Sequence, residues 1–150
     1  MPYNIVLIEP EIPNNTGNIG RLTLASGANL HLVKPLGFEL NDSRVKRAGL
    51  DYWQHLPLHI YESTEAFFTN NKGAKMAFFS SFGTKDYCSI DFEDDMFLVF
   101  GKESVGLSDE IINANADRLY KIPIYSQHVR SLNLANAVSI VVYEGLRSLR

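Results

Sequence analysis

Cysteine is almost missing from this 150-residue chain. Cys88 stands alone, so no internal disulfide can form and no cysteine-rich zinc site can be built. A lone thiol fits a reducing compartment. Long apolar runs are missing too. None approaches the roughly 20 residues that a membrane helix needs, and the first residues run into an apolar strand instead of a signal segment. The expectation is a soluble, cytoplasmic protein with no membrane partner. Positive charge is also short, with 14 Lys and Arg against 17 Asp and Glu and a net charge of −3. That balance argues against a nucleic-acid partner, because neutralising phosphates takes clustered cations. One local cluster exists: Lys34, Arg44, Lys46 and Arg47, with Arg21 upstream and Arg130, Arg147 and Arg150 at the far end. A solvated surface and a phosphate-facing patch both remain open for it.

Repeats, linkers and low-complexity stretches are absent, and the length is that of one domain covering 1–150. A chain of this size buries roughly 70% of its unfolded surface, so it needs no disulfide or metal to fold. Hydrophobic content of 45% excludes a disordered tail. Several chemical fingerprints fail as well. Gly17-Asn18-Ile19-Gly20 lacks the full dinucleotide-binding spacing, and Gly101-Lys102 is followed by Glu103 and not by the Ser or Thr of a phosphate loop. No GxSxG elbow is present. His55 and His59 have helical metal-ligand spacing, but Pro57 between them breaks such a helix. His31 and His128 have no evident partner.

What remains is a regular alternation. Asn4–Ile8, Leu30–Val33, Met76–Ser80, Met96–Phe100 and Leu119–Ile122 read as short apolar strands. Gly17–Ser26, Ser43–Ala48, Ser63–Phe68, Ser108–Asn113 and a long terminal stretch, Asn133–Ser148, read as helices. Thr16, Ser63 and Ser108 are the expected N-caps and Gly27 the expected stop. Strands alternating with helices predict an α/β fold with a mainly parallel sheet. The last helix is apolar on two faces: Leu134, Val138, Val141, Val142 and Leu149 form one stripe, and Ala137, Ile140 and Tyr143 widen it. Such a helix is either central or packs against another chain, and a terminal element favours a homodimer contact.

Ligands of open parallel sheets bind beyond the carboxyl ends of the strands. Three unusual segments fall there: Pro13–Arg21, Gly101–Leu107 and Pro123–Asn136. Each alone passes for turn chemistry, since Asn and Gly tolerate left-handed backbone and Ser and Asn cap helices. Three at successive strand ends are harder to dismiss.

PNNTGNIGR (13–21), FGKESVGL (100–107) and IPIYSQHVRSLNLANAVSIVVYE (122–144) resemble the three signature motifs of the SPOUT RNA 2'-O-methyltransferases. The chain is most similar to the tRNA (cytidine/uridine-34)-2'-O-methyltransferase family. The likeness extends to NIVLIEPEIPNNTGNIGRL at the start and to RAGLDYW (47–53), and so spans nearly the whole chain. It implies an α/β sheet flanked by helices with a C-terminal trefoil knot, and a homodimer through the last helix. It also implies S-adenosylmethionine as methyl donor without a metal, and the anticodon stem-loop of leucine tRNA as partner, methylated on the wobble ribose. A different RNA such as rRNA, or a non-catalytic knotted RNA-binding role, are the alternatives.

By position, the resemblance assigns the methyl donor to Phe79, Gly101, Ile122, Ser131 and Leu132. Arg21, Asn14, Glu103 and Asn133 match its catalytic or substrate-binding positions. A guanidinium stays protonated, so Arg21 is expected to orient the ribose or phosphate and to lower the hydroxyl's pKa, not to act as a base. Asn14 and Asn15 are expected to shape the loop or bind substrate. Glu103 is expected to anchor either Arg21 or its own loop, and Asn133 either to cap the last helix or to serve the site. The Tyr125–Arg130 stretch runs one residue longer than the family pattern, and Lys102 and Ser104 sit where that pattern varies.

Overall fold

In the computed structural model, residues 2–150 are described, with the side chains at 49–51 excepted. Strands β1 (Asn4–Ile8), β2 (Asn29–Val33), β3 (Leu58–Tyr61), β4 (Met76–Phe79), β5 (Lys85–Asp86), β6 (Phe97–Phe100) and β7 (Leu119–Lys121) form one sheet. Its order is β3-β2-β1-β6-β4-β7-β5, and every pairing is parallel. Helices α1 (Pro13–Ser26), α2 (Ser43–Gly49), α3 (Thr64–Asn70), α4 (Asp109–Ala114) and α5 (Leu134–Ser148) complete the described elements together with short 3₁₀ turns.

Alternate strand residues point to opposite faces, and here both faces are covered. Ile5, Leu7, Leu30, Leu32, Leu98 and Phe100 pack with Ile19 of α1 and with Val138, Val141 and Val142 of α5. Val6, Ile8, Val33, Phe78, Phe97 and Val99 pack with Phe67 of α3 and Ile111 of α4. Burial on both sides is why NIVLI, MAFF and FLVF read as unbroken apolar runs in the sequence. Among the described residues no helix is long and apolar enough to cross a membrane.

The expected strands and helices are all present, with shifts of a few residues at their ends. α1 is the exception that matters. It starts at Pro13 with Ile12 in the N-cap position, so Thr16 lies buried inside the helix and does not cap it. Proline at the first helical position loses nothing, because its missing N–H would have had no intrahelical partner. Gly27 ends the helix as expected, Ser63 and Ser108 cap α3 and α4, and Asn133 caps α5. Strands β3 and β5 lie at the two sheet edges and escaped the sequence reading, being four and two residues long and largely exposed. On α5 one face is core, while Ile140 and Tyr143, and Leu149 just past its end, are exposed on the single chain.

His31 has partners that its sequence neighbourhood does not reveal. Its ring is buried and stacks on His59 at 4.6 Å. Asn4 spends its Nδ2 on the carbonyl of Asp95, leaving Oδ1 to accept from His31 Nε2 at 2.9 Å. Nδ1 then accepts from the Tyr61 hydroxyl, also at 2.9 Å. This arrangement suits the neutral ring. Burial, with a smaller push from His59, holds the pKa down at about 4 against an ordinary 6.5. The unfolded chain therefore binds the proton first as pH falls. Stability is complete above pH 6.5 and is lost progressively towards pH 4. Urea unfolding at pH 7 and pH 4.5 should differ by on the order of 2 kcal/mol through this residue. In a His31→Leu variant, less stable at pH 7, most of that dependence should vanish.

Candidate active site

A cleft of about 570 Å³ opens at the carboxyl ends of β4, β6 and β7. That is the size and position expected of a small-molecule site in a parallel sheet. Phe79, Gly101, Ile122, Ser131 and Leu132 all line it, as do Glu103 and Asn133. Phe79 stacks on Phe100 with ring centroids 4.7 Å apart, which closes the cleft floor towards the core. Gly101 is required by a close approach: a Cβ there would sit 2.2 Å from the backbone of Gly106 and Leu107. The chain folds back on itself at this point, and no side chain fits.

The three segments are joined by one relay of hydrogen bonds. Both oxygens of Glu103 accept backbone amides at the entrance of α1, from Glu11 at 2.8 Å and Ile12 at 2.9 Å. The second oxygen also accepts from Asn15 Nδ2 at 3.2 Å. Asn15 Oδ1 in turn accepts from Asn133 Nδ2 at 3.1 Å. Asn133 Oδ1 accepts the first free amides of α5, from Ala135 at 2.9 Å and Asn136 at 3.3 Å. Glu103 thus fixes the turn that leads into α1, and its charge sits favourably near a helix N-terminus. Two neighbours reinforce the junction. The Ser104 amide donates to Glu11 at 2.8 Å and holds that carboxyl below the ordinary carboxylate range. Lys102 pairs with Glu9 at 3.0 Å.

Of the two roles open for Glu103, its bonds therefore support anchoring of the loop and not of Arg21. Asn133 does cap α5, and it reaches the cleft as well. Asn15 is the pivot, although the sequence could not rank it above Asn14, which is exposed and does not line the cleft. Arg21 does not line the cleft of its own chain either. It is exposed on α1 with its guanidinium 5.5 Å from the centre of the Tyr52 ring. Ile12, Phe82, Val105 and Ile124 line the cleft without having been singled out, and Arg130, noted only for its charge, lines it too. All but Phe82 lie inside the quoted segments, which was the available signal. Among the described residues no group of three or more His, Cys, Asp and Glu could hold a metal ion. His59 lies on β3 and His55 ends a 3₁₀ turn.

The sequence and the fold both have known relatives. A model of the SpoU rRNA Methylase family matches residues 2–143. The tRNA (cytidine(34)-2'-O)-methyltransferase of Saccharophagus degradans is 44% identical over 150 residues, covering 98% of this chain and 96% of that protein. A protein solved for structural insights into the 2-OH methylation of C/U34 on tRNA superposes with a TM-score of 0.94. It is 42% identical, over 98% of this chain and 95% of the other. An AdoMet-bound rRNA methyltransferase from Sinorhizobium meliloti gives a TM-score of 0.87 at 28% identity, over 99% of this chain but 57% of its own. This chain belongs to the SpoU methylase family and is a methyltransferase.

The relay makes a graded stability prediction. Glu103→Ala frees three hydrogen bonds at once and should cost on the order of 1–3 kcal/mol in urea unfolding at neutral pH. Lys102→Ala removes a half-exposed ion pair and should cost under about 1 kcal/mol. Equal losses for the two variants would contradict the central place of Glu103.

Proposed function

We propose that this protein uses S-adenosylmethionine to methylate the ribose 2'-hydroxyl of the wobble nucleotide, position 34, in leucine tRNA. The observation that carries this reading is the meeting of all three motif segments at one cleft, in a chain 44% identical to a cytidine-34 enzyme. The lining fits the donor. Phe79, Ile122 and Leu132 offer apolar contact, Ser131 offers a hydroxyl, and Gly101 leaves backbone within reach. When bound, S-adenosylmethionine would supply an electrophilic methyl group.

The chain's own part is positioning and charge stabilisation, because a ribose hydroxyl ionises far above neutral pH. Arg21 is the residue proposed for it. Its guanidinium orients the ribose or the adjoining phosphate and favours the developing oxyanion. Since Arg21 stands outside the cleft of its own chain, a second copy is the proposed source of this group. The exposed face of α5, with Ile140 and Tyr143, supports such a homodimer. The C-terminal trefoil knot belongs to the same reading.

For RNA, the cation cluster is smaller than its sequence suggests. Arg44 is paired with Asp42 at 2.9 Å and Lys34 with Glu62 at 3.2 Å. Lys46 and Arg47 remain exposed on α2, which packs against the helix carrying Arg21. The proposed tRNA path runs over these two helices, and a dimer doubles its charge.

Incubation with labelled S-adenosylmethionine and tRNA from a strain lacking the protein should label leucine tRNA at nucleotide 34, located by mass spectrometry. Label in rRNA instead would favour the second reading, which the Sinorhizobium likeness and the family description support. No label from a folded protein would leave a non-catalytic RNA-binding role. Arg21→Ala should lower kcat by about 100-fold or more while leaving the affinity for S-adenosylmethionine within about two-fold.

A further inference from the structure

We infer that Phe82 and Val105 form an apolar lip on which the base of the target nucleotide stacks, an inference that rests on the methyltransferase reading above. Both side chains line the mouth of the cleft, yet they are 73% and 72% exposed. Single exposed apolar side chains are common on protein surfaces. Two at one functional opening, each on a braced turn, are not explained that way. The turns follow adjacent strands: β4 pairs with β6, Phe79 opposite Phe100, and Phe82 and Val105 lie just beyond.

Each turn is held from several sides. The Phe82 amide donates to Ser80 Oγ at 3.1 Å, and the Gly83 amide to the Ser80 carbonyl at 3.0 Å. Gly83 presses so closely on the Tyr120 backbone that a Cβ would lie 2.4 Å from its carbonyl carbon. Val105 sits between Ser104, whose amide is bound by Glu11, and Gly106, whose amide donates to the Lys102 carbonyl at 2.8 Å. The two side chains are therefore kept in solvent by fixed backbone. A surface ordered in advance gives up little entropy when something docks on it.

The chemistry of the cleft identifies what docks. A ribose that presents its 2'-oxygen there carries its base on the adjoining carbon, so the base arrives at the mouth with it. An aromatic face accepts any base by stacking, and such contacts contribute strongly to the binding of unpaired nucleotides. Arg130 and Lys121 line the same cleft and suit the flanking phosphates.

The test uses the full chain and an anticodon stem-loop RNA carrying a fluorescent cytidine analogue at the target position. Phe82→Ala should weaken RNA binding and raise the RNA KM by roughly 10-fold, and should abolish the quench caused by stacking. Affinity for S-adenosylmethionine and the sedimentation coefficient should stay unchanged, and Phe82→Tyr should restore binding and quench. Val105→Thr, similar in shape and exposed, should give a smaller loss and keeps the test open if Phe82→Ala misfolds. RNA binding and quench unchanged in a folded variant would overturn the inference. So would a loss confined to S-adenosylmethionine, which would put Phe82 in the donor's cradle, or dissociation of a dimer, which would make a second copy the occupant. If the wild type methylates no RNA, the methyltransferase reading itself fails and this inference falls with it. Transfer by the wild type with an indifferent Phe82→Ala sinks the lip alone.

Discussion

The carboxylate of Glu103 is the contact on which the site depends. A helix start leaves several amides without intrahelical partners, and α1 begins Ile12-Pro13 with no side chain of its own to receive them. Glu103 takes two amides at this entrance from a loop 91 or 92 positions away and then reaches Asn15. Through Asn15 and Asn133 the same carboxylate is connected to the start of α5. Two helices and a loop are thereby set at fixed relative positions around one opening.

The sheet makes that precision possible. Its strands are parallel and covered on both faces, so the carboxyl ends of β4, β6 and β7 finish side by side over a packed core. Gly101 then lets the loop after β6 fold flat against its own return at Gly106 and Leu107. The result is a site walled by turns with little freedom and floored by stacked aromatic rings. Methyl transfer benefits from such rigidity, because two reactants must be held in line while water is kept out.

Much of this was legible in the sequence, and what was not has physical reasons. The central strands could be read because burial on both faces turns them into continuous apolar runs, as in Asn4–Ile8 and Phe97–Phe100. Ser63, Ser108 and Asn133 could be read because a local cap bonds amides within three residues. The start of α1 could not, since the carboxylate that fixes its entrance is distant in sequence, and Thr16 offered a plausible local cap. The partners of His31 escaped for the same reason: Asn4 and Tyr61 are brought to it by strand pairing and not by proximity along the chain. Five donor-site residues assigned by resemblance all fall on the cleft, whereas Asn14 and Arg21 do not line it within one chain. Motif matching locates segments well. It does not say which of two adjacent asparagines turns inward, nor whether an arginine serves its own chain or another.

The central claim, that the three segments together form the methyl donor's site, is most directly tested by titration calorimetry of the purified protein with S-adenosylmethionine, and in parallel with ATP and NAD. Saturable binding of S-adenosylmethionine that is lost in Gly101→Ala, with no heat from the other two nucleotides, is the expected result. Binding of ATP or NAD without binding of S-adenosylmethionine would contradict it.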